Sequence, residues 1–279
     1  MKKLVILLSL MMAVGAADAK SYRKHYAAKP AQTAARTAPS YLLYNLDDEV
    51  FLSFSDEDPT RPIASVTKLM TALVVVRDGY NLDELVSVSA GSSPNIRGGM
   101  RLTRRELVYL SLVSSDNLAS VTLAQTSPIG HDEFIRRMNA TAAELELKHT
   151  HFIDASGLSM NVSNTLGVAK LVAETLNYPI FADAANTSRY NVTTVVNSRP
   201  VFIDAPATNT FVGRLSLLSA KTGYTRAAGN CVTMALDHVG TRYILVVLGA
   251  NNPQHRQQIA TTLLERVNTN TTEPLGVLK

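Results

Sequence analysis

Residues 63–76 read IASVTKLMTALVVV. Wound as a helix, this run is apolar on nearly every face, and such a helix must be enclosed by the rest of the chain. The fold has to be built around it. Inside the run stands Lys68, three residues after Ser65 and among Ile63, Leu69, Met70 and Leu73. An ammonium stripped of water in apolar surroundings has its pKa driven below the usual value of about 10.4. Arg61-Pro62 leads into the run, where Pro62 suits a first helical turn, and Asp78-Gly79 ends it.

Around this helix the pattern alternates. Residues 40–55, SYLLYNLDDEVFLSFS, predict a hairpin that turns at Asp47-Asp48. A short strand is expected at 86–89. Thr103 with Glu106 three residues later is a capping box opening the helix RRELVYLSLV. The run Ser114-Ser115-Asp116-Asn117 interrupts it, and LASVTLAQT resumes helical character. Residues 131–147 and 164–176 predict two further helices, so 80–185 reads as mostly helical. Strands return at 215–221, 230–236 and 243–249, the last two joined across DHVGT, and a helix over 254–267 follows. Residues 187–214 are assigned no element. This order predicts an α+β fold: an antiparallel sheet built from both ends of the chain, flanked by helices, with a mostly helical inserted subdomain.

The N-terminus carries Lys2 and Lys3, an apolar run over 4–14, and then Ala17-Asp18-Ala19. That is the pattern of a secretory signal peptide cleaved after Ala19. The apolar run falls short of the roughly 20 residues a membrane span needs. The expected organisation is a signal peptide at 1–19, a flexible basic leader at 20–38, a catalytic domain at 39–268 and a polar tail at 269–279. Export predicts a periplasmic location and no integral membrane segment after cleavage.

The formal net charge is +4, but residues 20–36 hold five basic side chains and no acid, whereas 37–279 hold 20 basic and 22 acidic ones. The basic character therefore belongs to the leader, and nucleic-acid binding is not expected. Cys231 is the single cysteine, which excludes an internal disulfide and reads as a buried structural thiol. The histidines have no metal-ligand spacing, and no metal or other cofactor is expected.

Three polar clusters remain that could do chemistry. Ser65 and Lys68 share one helix face, so a neutral Lys68 could take the proton of the Ser65 hydroxyl. Lys221 offers a second cation that would help to keep Lys68 neutral. Ser115-Asp116-Asn117 sits between two helical runs, with Ser115 able to relay a proton and Asn117 able to hold a substrate amide. The strand SLLSAKTGYT carries Lys221-Thr222-Gly223. Gly223 permits close backbone approach, and an extended substrate could pair with this strand. Each cluster alone is a weak signal. In this order and spacing they match the Ser-x-x-Lys, Ser-x-Asn and Lys-Thr-Gly set of penicillin-binding proteins and class A β-lactamases.

RPIASVTKLMTALVVV, SSDN, HFIDASGLS and KTGYTRAAGNCVTMAL resemble the low-molecular-mass penicillin-binding proteins. These are D-Ala-D-Ala carboxypeptidases and endopeptidases acting on peptidoglycan. RPIASVTKLMTA and KTGYTRAAG resemble most the endopeptidase branch called penicillin-binding protein 7. The resemblance implies the penicillin-recognising serine fold. It implies Ser65 as nucleophile, Lys68 as acylation base, Ser115 and Asn117 as the second motif, and Lys221 as a substrate-binding residue that keeps the proton network positively biased. It also implies an oxyanion hole from the N–H groups of Ser65 and Tyr224. Thr222 and Thr225 would contact substrate or antibiotic, and Arg256 would read a substrate carboxylate.

The partners implied are peptidoglycan stem peptides, with β-lactams as covalent inhibitors. Many carboxypeptidases of this group add a C-terminal β domain and an amphipathic anchor. Their absence from the sequence favours the endopeptidase branch. The region of Asp154 lacks the Glu-x-x-x-Asn loop of class A β-lactamases, so fast β-lactam hydrolysis is not expected. The expected function is a serine D,D-endopeptidase cutting D-Ala–meso-diaminopimelate cross-links. The alternatives are a D-alanyl-D-alanine carboxypeptidase and an inactive wall-binding scaffold. Nothing in the sequence fixes the oligomeric state.

Overall fold

A computed structural model of the protein describes residues 38–269. The signal peptide, the basic leader and the polar tail lie outside the described residues, save for boundary residues 38 and 269. In chain order, β1 (Ser40–Asn45) and β2 (Val50–Phe54) form the first hairpin, followed by β3 (Arg61–Pro62), a 3-10 turn (Ala64–Val66) and α1 (Thr67–Arg77). Next come β4 (Leu85–Ser87), β5 (Arg101–Thr103), α2 (Arg104–Val113), α3 (Asn117–Gln125), α4 (His131–Glu144), β6 (Val162–Ser163), α5 (Thr165–Thr175) and α6 (Pro179–Asn186). The chain then forms β7 (Arg189–Val196), β8 (Arg199–Pro206), β9 (Ser216–Thr225), β10 (Gly229–His238), β11 (Thr241–Ala250) and α7 (Pro253–Thr269).

Five strands make the main sheet in the order β2-β1-β11-β10-β9, and every pairing in it is antiparallel. The N-terminal hairpin thus docks on the C-terminal meander, as the alternation of elements predicts. The middle of β11, Tyr243–Leu248, is buried on both faces, which explains its unbroken apolar run. On one face Leu43, Met234, Leu245 and Val247 pack with Ile259, Ala260 and Leu263 of α7. Helix α5 packs on β11 and β10, and also meets α1. Residues Thr67–Val75 of α1 are all buried, so the apolar helix is enclosed on every side. Its neighbours are α2, α3, α4 and α5.

Two local features depart from the sequence reading. Pro62 is not in the first helical turn. It pairs with Val162 across β3–β6, and the Ile63 N–H donates to the Asn161 carbonyl at 3.1 Å, so the helix proper begins only at Thr67. The second departure is the hairpin β7–β8 in the unassigned stretch. Its turn is Asn197-Ser198, with φ of 50° and 62°. Positive φ at both central residues is the condition for a tight hairpin turn matched to strand twist. The capping box is present: Thr103 Oγ1 accepts from Glu106 N at 3.2 Å, and the Glu106 carboxylate accepts from Thr103 N at 2.6 Å. Among the described residues no helix is long and apolar enough to cross a membrane.

Candidate active site

The 3-10 turn and the first turn of α1 place Ser65 and Lys68 side by side. Lys68 Nζ lies 2.9 Å from Ser65 Oγ and 2.7 Å from Asn117 Oδ1, and it also donates to the Ser156 carbonyl. The side chain is fully enclosed. Burial lowers the amine's pKa to about 7, with the carboxylates of Asp154 and Asp116 pulling the other way. Near neutral pH much of Lys68 is therefore uncharged. A neutral amine has two N–H donors and one lone pair. Asn117 Oδ1 and the Ser156 carbonyl can take the two donors, which leaves the lone pair for the Ser65 hydroxyl.

Asn117 owes its position to the turn between α2 and α3. Asp116 caps α3, its Oδ1 accepting from Ala119 N at 3.0 Å. Its Oδ2 accepts from Ser93 Oγ at 2.6 Å and from Asn95 Nδ2 at 3.0 Å, which ties the preceding loop to the same turn. Ser115 stands at the tip with φ of 60°, a conformation costly for a residue with a Cβ. Ala64, next to Ser65, shares that strain at φ 48°. None of the three hydrogen bonds of Lys68 goes to Ser115.

Lys221, on β9, is buried, and its Nζ donates to the Thr222 carbonyl at 2.9 Å. Burial pushes its pKa well below the usual lysine value, and the charges of Lys68 and Arg256 push it further. The two lysines are not shifted alike. Lys68 is governed by burial against two carboxylates, while at Lys221 the charges of Lys68 and Arg256 add to burial.

Strand β9 is an edge of the main sheet and runs close beside Ser65. A Cβ on Gly223 would stand 3.0 Å from the Ile63 carbonyl oxygen and 3.1 Å from Ser65 N, so the glycine is what lets the strand pass. Tyr224 follows and is 61% exposed. Thr222 is buried, its Oγ1 2.7 Å from Thr208 Oγ1. Thr225 Oγ1 accepts from Ala228 N at 3.0 Å and so closes the β9–β10 turn. Arg256, in the opening of α7, is half-buried, and its charge reaches Lys221.

The structure therefore gathers Ser65, Lys68 and Asn117 by direct contact, and sets Lys221, Gly223 and Arg256 around them. Two contributors were not read from the sequence. The first is the segment 153–161. Burial alone would raise the pKa of the Asp154 carboxyl, but N–H groups of Gly157, Ser159 and Ser156 together hold it below the usual carboxylate range. Gly157 N and Ser159 N each lie at 2.6 Å from it. This turn aims the Ser156 carbonyl at Lys68. Asn161 fastens it to α1, with Nδ2 donating to Thr67 Oγ1 at 3.0 Å. Asp-x-Ser-Gly is a legible turn signal, but its backbone target is not. The second is Thr208, whose N–H donates to the Val113 carbonyl at 3.0 Å while its hydroxyl meets Thr222.

The chain is similar to known proteins in both sequence and structure. A family model described as D-alanyl-D-alanine carboxypeptidase matches residues 26–252. The chain is 33% identical to a D-alanyl-D-alanine endopeptidase of Escherichia coli, over 87% of this chain and 81% of that one. Its structure is similar to that of the Streptomyces K15 DD-transpeptidase, with a TM-score of 0.77 at 25% identity, covering 87% of this chain and 99% of the other. It is also similar to penicillin-binding protein D2 of Listeria monocytogenes in its cefotaxime-bound form, with a TM-score of 0.69 at 25% identity over 81% and 95%. The chain belongs to the D-alanyl-D-alanine carboxypeptidase family of low-molecular-mass penicillin-binding serine peptidases and carries their penicillin-recognising fold.

Proposed function

We propose that the protein is a periplasmic serine D,D-endopeptidase that hydrolyses D-Ala–meso-diaminopimelate cross-links through an acyl-enzyme on Ser65. The observation that carries this reading is the Ser65–Lys68 contact at 2.9 Å, with the other two donor directions of Lys68 met by acceptors. The endopeptidase name of the Escherichia coli relative supports the choice of bond.

In the proposed reaction, the neutral Lys68 amine takes the Ser65 hydroxyl proton as Oγ attacks the D-Ala carbonyl. A positioned base of this kind is worth about 10²–10⁴ in rate. The N–H groups of Ser65 and Tyr224 receive the developing oxyanion. Such a donor is worth about 3–4 kcal/mol. The proton on Lys68 passes through Ser115 to the leaving amine, the amide C–N bond breaks, and water then hydrolyses the ester to regenerate the Ser65 hydroxyl. Asn117, Thr222, Thr225 and Arg256 hold the substrate. Asp154 is occupied by backbone donors and is a poor candidate for a deacylating base, so a penicilloyl ester should persist.

The family description favours a second reading, a carboxypeptidase releasing terminal D-Ala with the same residues. Digestion of purified muropeptides separates the two. Conversion of dimers to monomers without free D-Ala supports the endopeptidase. Free D-Ala from pentapeptide monomers, with dimers intact, overturns it. Labelling by a fluorescent penicillin that disappears in Ser65→Ala tests the acyl-enzyme and excludes an inactive scaffold.

A further inference from the structure

A groove of about 680 Å³ runs along the outer face of α7 beside the loop that leads into β9. Its lining includes Arg256, Gln257 and Thr261 from the helix, Thr210 and Arg214 from the loop, and Glu265 on the last part of the helix to line it. Thr210 Oγ1 donates to Gln257 Oε1 at 2.9 Å and joins the two walls. The groove is shallow and open, much of its wall is the aliphatic part of its side chains, and the polar groups that line it are amides, hydroxyls, two guanidiniums and the Glu265 carboxylate, with no aromatic ring. Arg214 is exposed and Arg256 half-buried, and no carboxylate pairs with either guanidinium among the described residues. Two guanidinium groups face one carboxylate, Glu265, among the lining residues, and this net positive charge among hydrogen-bonding side chains suits an anionic peptide. Guanidinium groups bind carboxylates with directional, charge-assisted bonds.

The groove adjoins the catalytic strand. Thr208, two residues before the lining residue Thr210, lies 2.7 Å from Thr222 of β9 through its hydroxyl, and Arg256 lines the groove at the opening of α7. A substrate anchored by a carboxylate near Arg256 and continuing past it would enter the groove. A penicillin, or a peptide ending in D-Ala, would stop short. We propose that this groove is the subsite for the second stem peptide of a cross-link, the part of the substrate beyond the scissile bond. Its ligand is an acidic peptide whose carboxylates meet Arg214 and whose amides meet Gln257 and Thr210. The inference rests on the endopeptidase reading above and adds the element that would give that activity its preference for cross-links.

The test compares the mature wild type with Arg214→Gln and Gln257→Ala. Three rates are measured: acylation by a fluorescent penicillin, cleavage of a purified cross-linked muropeptide dimer, and release of D-Ala from pentapeptide monomer. Removing a groove contact should lower kcat/KM on the dimer about 5- to 10-fold, chiefly through KM. Penicillin acylation should stay within about two-fold of wild type, since a ligand that does not reach the contact loses nothing with it. The Arg214→Gln deficit should shrink as salt is raised, because an exposed charge is screened. Dimer cleavage at the wild-type rate in both variants overturns the proposal. So does a parallel fall in all three rates, which would mark general damage to the fold. A wild type that takes up penicillin but leaves dimers intact defeats the groove and leaves the acyl-enzyme standing. A wild type that takes up no penicillin defeats the reading beneath it as well.

Discussion

A Cβ on Gly157 would stand 2.0 Å from the carbonyl oxygen of Ala64, the residue before Ser65. The obstacle is backbone, so no side chain can swing away to make room. Gly157 also has φ of 84°, where an L-residue is strained whatever the space. The 154–159 turn can press against the nucleophile's own turn only because this residue lacks a side chain. Gly157→Ala should therefore separate the two turns and withdraw the Ser156 carbonyl from Lys68. The expected result is a fall of about 100-fold or more in penicillin acylation, the loss typical of a displaced catalytic group. Acylation rate and a thermal melt, measured together, check it. Wild-type acylation in this variant would mean the contact is incidental.

Asp154 acts on the same turn from the other side. Its carboxylate satisfies the N–H groups of Ser156, Gly157 and Ser159. Asp154→Ala leaves those donors without their partner, at a cost of about 1–3 kcal/mol each where they remain buried. Denaturant midpoints should drop and acylation should slow, because Ser156 loses its placement. Asp154→Asn keeps one acceptor oxygen and should be milder in both measurements. Equal effects from the two variants would argue against this role.

Thr208 ties the turn after α2 to β9. Its hydroxyl lies 2.7 Å from that of Thr222, and its N–H is bonded to the Val113 carbonyl. Thr208→Val should raise KM for a carboxylate-bearing substrate several-fold, with Thr208→Ser restoring it. A double-mutant cycle with Thr222→Val reads the coupling directly. Additive effects of the two changes would show that Thr208 does not act through Thr222.

Lys68 should also govern stability against pH. Its folded pKa is about 7 and its ordinary value 10.5. Between these values the unfolded chain holds a proton that the folded protein does not. Unfolding free energy therefore rises with pH through this window, by up to about 1.4 kcal/mol per unit from this group. Below pH 7 the full cost of burying the charge is present. Buried Lys221 acts in the same sense. Urea midpoints at pH 7 and pH 9 should differ more in wild type than in Lys68→Met. Identical differences in the two proteins would contradict the assignment.

Much of this was legible in the sequence because it lies in side-chain type and spacing. The helix apolar on all sides could only be central, and the three-residue spacing of Ser65 and Lys68 brings them together even though Ser65 stands in the 3-10 turn that precedes the helix. Long apolar runs gave β10 and β11. What stayed hidden lies in the backbone or in distant pairings. The Ser156 carbonyl has no residue signature, and any residue there would present the same oxygen. Pro62 fits a helix start by local rules, but the non-local pairing with Val162 takes it into a strand. The hairpin β7–β8 had a usable signal, since the residues flanking Asn197-Ser198 include the β-branched run Val192–Val196 and the β-branched and aromatic run Val201–Ile203. Thr208 is unreadable for another reason: its partner Thr222 is brought near only by the fold.

The most direct test of the account is the rate of penicillin acylation against pH, in wild type and in Lys68→Ala. The account predicts a wild-type rate that rises with pH through about 7, as Lys68 loses its proton, and then levels. It predicts a loss of at least about 100-fold in Lys68→Ala at every pH, the scale of a missing general base. A folded Lys68→Ala that acylates at the wild-type rate, or a wild-type rate that falls as pH rises through 7, would contradict it.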